Sequence, residues 1–122
     1  MKNFYVGKTI LITGGTGSLG KALVKQLKKW DCKIIVYSRD EGKQALSFGN
    51  DPNIVRVIGN VRDFKKLDVT MQRHKPDYVI HAGALKRLDD MEFHPDECIK
   101  TNILGSENVA MASQNNHVKK VF

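Results

Sequence analysis

Thr9-Ile10-Leu11-Ile12-Thr13-Gly14-Gly15-Thr16-Gly17-Ser18-Leu19-Gly20 is the stretch on which the fold turns. Its β-branched, apolar start predicts a buried strand, and the glycines that follow predict a tight turn. Leu19, Leu23, Leu27 and Trp30 then recur at helical spacing, with Lys21, Lys25, Lys28 and Lys29 on other faces. A strand that passes through a glycine turn into a helix aims free backbone N–H groups and a positive dipole end at one point, where a phosphate is stabilised. The spacing of Gly14, Gly17 and Gly20 extends this to a dinucleotide. The early glycines permit the turn, a missing side chain lets a pyrophosphate approach the backbone, and Gly20 lets the helix lie close on the strand. Thr16, Ser18 and Leu19 complete the candidate contacts. A purely structural βα turn is the competing reading.

The 122 residues suffice for one domain around a single core. No run of about 18 apolar residues occurs, so no membrane-spanning helix is expected. The apolar run near the N-terminus is too short for a signal peptide and is interrupted by Lys8, which makes a cytoplasmic location the default. Cys32 and Cys98 lie far apart and form no C-x-x-C pair, so they read as free thiols in a reducing compartment. A net charge of +7 raises the possibility of nucleic acid. The lysines are spread along helix faces, however, without a basic block or an aromatic stacking pattern, so no nucleic-acid partner is expected. Attraction of an anionic cofactor or substrate accounts for the charge.

Further along, strands and helices alternate. Lys33 to Ser38 reads as a second strand, Asp40 to about Phe48 as a short helix, and Asp51-Pro52-Asn53 as a turn. Ile54 to Gly59 reads as a third strand, with Asp63 as N-cap of a helix carrying Phe64, Leu67 and Met71. Lys75-Pro76-Asp77 ends that helix, and Tyr78 to Ala82 is a fourth strand. A loop from Gly83 to about Phe93 precedes a long helix that opens near Pro95 and reaches about Asn115; Val118 to Phe122 begins a fifth strand. Apolar strands alternating with helices predict an α/β fold, a Rossmann-type doubly wound parallel sheet of order 3-2-1-4-5. Its ligand crevice falls at the carboxyl ends of strands one and four, where both the glycine turn and residues 81–86 lie.

The end of the second strand bears on which dinucleotide binds. Ser38-Arg39-Asp40 puts an arginine first, which suits the 2′-phosphate of NADP, while Asp40 keeps NAD open. After the third strand, Asn60 offers an acceptor and a donor to an adenine edge and Val61 an apolar contact; Asn60 reads equally as a turn residue.

Residues 13–20, Tyr37-Ser38-Arg39-Asp40-Glu41, residues 59–63, His81-Ala82-Gly83-Ala84-Leu85-Lys86, and the series Glu92, Pro95, Glu97, Thr101-Asn102, Gly105, Asn108-Val109 occur in this order. Together they resemble the amino-terminal part of the extended short-chain dehydrogenase/reductases. Within these the chain is similar to the UDP-N-acetylglucosamine 4,6-dehydratases of the polysaccharide biosynthesis group, over essentially its whole length. The resemblance implies an incomplete NAD(P)-binding domain over residues 1–122, with Ala82, Gly83, Ala84, Lys86 and Asn102 among the cofactor-side residues. Lys86 is also the substrate-side candidate, and Asn102 would brace the nicotinamide-side backbone. It implies tightly held NADP that oxidises C4 of a UDP-sugar, followed by elimination of water across C5 and C6. Departures are Asn60 where the group has aspartate, Gly83 for alanine, and Arg87-Leu88-Asp89 for histidine-valine-proline.

The group also relies on a Tyr-x-x-x-Lys pair and a Thr/Ser-Asp-Lys segment after the fifth strand. Neither occurs here: Tyr5, Tyr37 and Tyr78 are followed four residues on by Thr9, Glu41 and Ala82. The expectation is therefore no catalytic residue in these 122 residues, no turnover by them alone, and a missing sugar-binding subdomain. A stand-alone NADP- or partner-binding module and the amino-terminal part of a nucleotide-sugar epimerase are the alternatives. Stopping in strand five would expose apolar sheet surface, so a homo-oligomer or a missing partner segment is expected. His94 and Cys98 have helical metal-ligand spacing but no third ligand near them, so no metal site is expected. His81 reads as a hydrogen-bonded core residue, and no G-x-S-x-G elbow occurs.

Overall fold

A computed structural model describes residues 5–14, 17–82 and 95–122; of Ser18 and of 95–101 only the backbone is described. Strand β1 (Thr9–Thr13) leads to helix α1 (Ser18–Lys28), β2 (Lys33–Ser38), α2 (Glu41–Phe48), β3 (Ile54–Ile58), α3 (Phe64–His74), β4 (Tyr78–His81), α4 (Pro95–Asn115) and β5 (Lys120–Val121). The strands form one sheet in the order β3-β2-β1-β4-β5, every neighbouring pair parallel. This is the doubly wound Rossmann-type arrangement that the alternation predicts.

Side-chain alternation along the strands explains the two layers. Ile10, Ile12, Ile34, Val36 and Tyr78 face Val24 and Leu27 of α1 and Phe48 of α2. Leu11, Ile35, Tyr37 and Val79 face Leu67 and Met71 of α3 and Val109 and Ala112 of α4. Leu11, Ile35 and Val79 are wholly buried, and truncating such a side chain to alanine costs about 2–5 kcal/mol.

Local chemistry fixes the ends of the helices. Asp40 caps α2 by accepting from Lys43 N at 2.9 Å, and Asp63 caps α3 by accepting from Lys66 N at 3.1 Å. Lys75 ends α3 in the left-handed region at φ 49°, immediately before Pro76. Asp77 then clasps three strand starts. It donates its N–H to Thr9 O, accepts from Thr9 N on its carboxylate at 2.9 Å, and accepts from Lys119 N on its carbonyl.

Three details differ from the expectation. The fifth strand is two residues long rather than five. Leu19 is 44% exposed rather than part of the core stripe, because the first turn of α1 projects past the end of β1. Trp30 lies beyond α1 and packs by stacking on Tyr5, with ring centroids 5.0 Å apart.

Candidate functional site

The order of strands reverses between β1 and β4, so the crevice opens at their carboxyl ends. Gly14 stands there at φ 70°, a left-handed conformation that glycine adopts without the Cβ penalty. Its N–H donates to Tyr37 O at 3.0 Å, and its carbonyl accepts from Gly17 N at 3.1 Å. Gly17 is the N-cap of α1 and brings no side chain to the cap, while the first turn carries no acid. Gly20, one turn in, is buried. The helix thus presents its positive end with no acid in its own first turn, which fits an anionic group.

On the β2 side, Ser38 is buried and Arg39 exposed. Ser38 Oγ accepts from Gln44 Nε2 at 2.6 Å, and the same amide donates to Val57 O at 2.9 Å. Asp40, the residue that kept NAD open, is committed through Oδ1 to the cap of α2. Beneath β3, the Tyr37 hydroxyl donates to Asn60 O at 2.9 Å. Burial, with the Asp63 charge second, holds that phenol far above its ordinary range, so it stays a donor. Asn60 Oδ1 accepts from Arg62 N at 3.0 Å, the turn role, which leaves its Nδ2 for other partners. Val61 O accepts from Asn108 Nδ2 at 2.8 Å, so α4 braces this loop.

On the β4 side, Ala82 is buried and its N–H donates to Thr13 O at 3.1 Å. Thr13 Oγ1 lies 2.6 Å from His81 Nδ1. His81 Nε2 is buried without a hydrogen-bond partner among the described residues. Burial pushes the imidazole pKa below its ordinary value and keeps the ring neutral. The hydrogen-bonded role expected of His81 is present, with one ring nitrogen left over.

Gly14, Gly17, Gly20, Ser38, Arg39, Asn60, Val61 and Ala82 are therefore brought to one end of the sheet. Leu19 and the backbone of Ser18 lie in the first turn of α1. Asn102 is half-buried on α4, whereas the bracing seen at Val61 comes from Asn108. Thr16, Gly83, Ala84 and Lys86 lie outside the described residues, as do the side chains of His94 and Cys98.

Sequence reasoning missed Gln44 altogether and the close packing of Tyr37 against Gly59. A Cβ on Gly59 would collide with the hydroxyl end of the Tyr37 ring, so the glycine is required by close approach and not by its torsion. The spacing of Asp40, Gln44 and Phe48, four residues apart, was the available signal for a buried stripe that includes Gln44.

The sequence profile of the polysaccharide biosynthesis protein family matches residues 10–122, and the chain belongs to that family. UDP-glucose 4-epimerase of Rickettsia massiliae is 46% identical over 126 residues, covering 97% of this chain and 36% of that protein. Pen from Bacillus thuringiensis superposes with a TM-score of 0.87 at 34% identity, over 97% of this chain and 37% of that one. The Bordetella bronchiseptica enzyme WbmG, solved in complex with NAD, matches at TM-score 0.79 and 30% identity, over 94% of this chain and 36% of its own. The chain thus spans about a third of the length of the proteins it matches, and corresponds to the amino-terminal part of a nucleotide-sugar epimerase- or dehydratase-like enzyme.

Proposed function

We propose that this chain is the dinucleotide-binding part of a UDP-sugar epimerase acting at C4, with the 4,6-dehydratase reading second. The observation that carries it is the Gly14–Gly17 turn at the switch point of the sheet, opening an α1 that has no acid in its first turn. The epimerase reading is preferred because the relatives at about 46% identity are UDP-glucose 4-epimerases. Both readings share one demand on this part of the protein: hold a nicotinamide dinucleotide so that it can take a hydride from C4 of the sugar.

The residues divide that task by chemistry. The N-terminus of α1 and the Gly14 turn would hold the pyrophosphate. Ser38 and Arg39 would hold the adenosine ribose, and Arg39 together with the commitment of Asp40 to the α2 cap favours NADP over NAD. Asn60 Nδ2 would meet the adenine edge, with Val61 beside it. Lys86 and Asn102 keep their proposed places on the nicotinamide side. A cytoplasmic site of action and residues 1–122 as one incomplete binding domain belong to the same reading.

Titration of the chain with NADP and with NAD, followed by calorimetry, tests it: NADP is expected to bind more tightly, and binding of neither sinks the proposal. Arg39→Ala should remove the preference. A protein carrying this segment within the relatives' full length should interconvert UDP-glucose and UDP-galactose. Water loss from UDP-N-acetylglucosamine instead would decide for the dehydratase.

A further inference from the structure

Gln44 is fully buried at 0% exposure, and its hydrogen bonding is lopsided. Nε2 donates to Ser38 Oγ at 2.6 Å, to Val57 O at 2.9 Å and at longer range to Ser38 O at 3.4 Å, while the buried Oε1 has no partner among the described residues. An apolar residue of the same length would fill this space without an orphaned carbonyl, so packing alone does not explain an amide here. What the amide supplies is donors, the shortest bond of which goes to Ser38 Oγ and the next to Val57 O.

A serine hydroxyl has one proton and two lone pairs. With a lone pair of Oγ occupied by the Gln44 donor, the Ser38 proton turns to a different acceptor. Ser38 is the last residue of β2, keeps 5% exposure, and precedes the exposed Arg39 at the mouth of the crevice. Asp40 fixes the backbone just beyond by capping α2. The hydroxyl proton and the guanidinium thus belong to consecutive residues at the end of one strand.

We infer that Gln44 is a positioning residue that holds the Ser38 hydroxyl as a donor toward the 2′-phosphate of NADP, and so sets the preference for NADP over NAD. This rests on the dinucleotide reading above. A phosphate offers only acceptors and takes a charge-assisted bond from a fixed donor. A ribose 2′-hydroxyl can both give and accept, so it gains little from a neighbour locked in one role. Without the Gln44 amide, the donor that fixes Ser38 Oγ as an acceptor is gone and the hydroxyl rotor is released.

Calorimetric titration of the 122-residue chain and its variants with NADP and NAD tests this. Gln44→Met, which keeps length and removes the amide, should weaken NADP binding roughly tenfold and leave NAD within about twofold. Ser38→Ala should do the same, and the double variant should be no worse than either alone. A loss of stability by itself lowers both affinities by one factor, so the ratio isolates the positioning role. Equal weakening of both ligands, no change in either, or additive losses in the double variant would overturn the inference. Should Gln44→Met fail to fold, Ser38→Ala decides: an unchanged ratio there overturns the inference as well. Wild-type chain that binds NAD and not NADP defeats the inference but leaves the dinucleotide reading standing. Binding of neither defeats both.

Discussion

The two sides of the crevice are built on different terms. At the ends of β2 and β3, polar groups answer one another within the fold: Tyr37 to Asn60, Gln44 to Ser38 and Val57, Asn60 to Arg62, Asn108 to Val61. At the ends of β1 and β4 the described residues show a glycine turn, an Ala82–Thr13 backbone bond and a Thr13–His81 contact, with His81 Nε2 buried and unanswered among them. The first side is set by packing and by hydrogen bonds the chain supplies itself. The second holds a polar atom in reserve, and its backbone is shaped by the absence of side chains. Preorganisation of the adenosine side therefore does not depend on whatever completes the other.

The largest test of this contrast is Gly59→Val. A side chain there must displace the Tyr37 ring from a fully packed site, and about 3 kcal/mol of destabilisation in urea unfolding is expected. A loss below about 1 kcal/mol would mean the β2–β3 side is looser than described. Gly14→Ala strains a residue at φ 70° and should cost about 1–2 kcal/mol, with a larger proportional loss of dinucleotide binding. If stability falls and binding does not, the turn is structural only.

Thr13→Val and Tyr37→Phe each remove one hydroxyl of similar distance from its partner. Thr13→Val should cost about 1–2 kcal/mol because it leaves His81 Nδ1 without Thr13 beside an Nε2 that already lacks a partner among the described residues, and Tyr37→Phe nearer 1 kcal/mol because it takes one bond from a half-buried carbonyl. The reverse order would break the comparison. The smallest effect is pH-dependent. Burial lowers the pKa of His81, and burial with Lys33 and Arg73 lowers that of His74. The unfolded chain then binds protons that the folded chain refuses, so stability is complete above the unfolded value of 6.5 and declines as pH falls through the lower folded values. Tm should be lower at about pH 5.5 than at about 7.5, and His81→Gln should flatten that slope more than His74→Gln.

How much the sequence disclosed varies with how local the cause is. Strands β2 and β3, the cap Asp63, and the break at Pro76 follow from neighbouring residues, and the structure holds them where the pattern places them, while the cap at Asp40 came to light only in the structure. The strand order followed from the alternation of elements. Leu19 was misjudged because periodicity cannot tell that the first turn of a helix overhangs the sheet. The hydrogen-bonding roles of Gln44 and Asn108 escaped notice for a related reason. Gln44 meets Ser38 and Val57, 6 and 13 residues away, and Asn108 meets Val61, 47 residues away; a polar residue inside a helix gives no sign of what it will meet. The same division holds at the crevice: the glycine turn at the end of β1 was legible from spacing, whereas the hydrogen bonds that brace the ends of β2 and β3 were not.

Cys32 gives the fold a built-in clock. Its thiol is 6% exposed and donates to Leu27 O at the end of α1, and burial raises its pKa. A thiol reagent attacks the thiolate, and here both access and ionisation wait until the end of α1 lifts from β2. The pace of modification at Cys32 therefore counts those openings, and slower labelling with a dinucleotide present would show that a ligand at one end of α1 quiets the other.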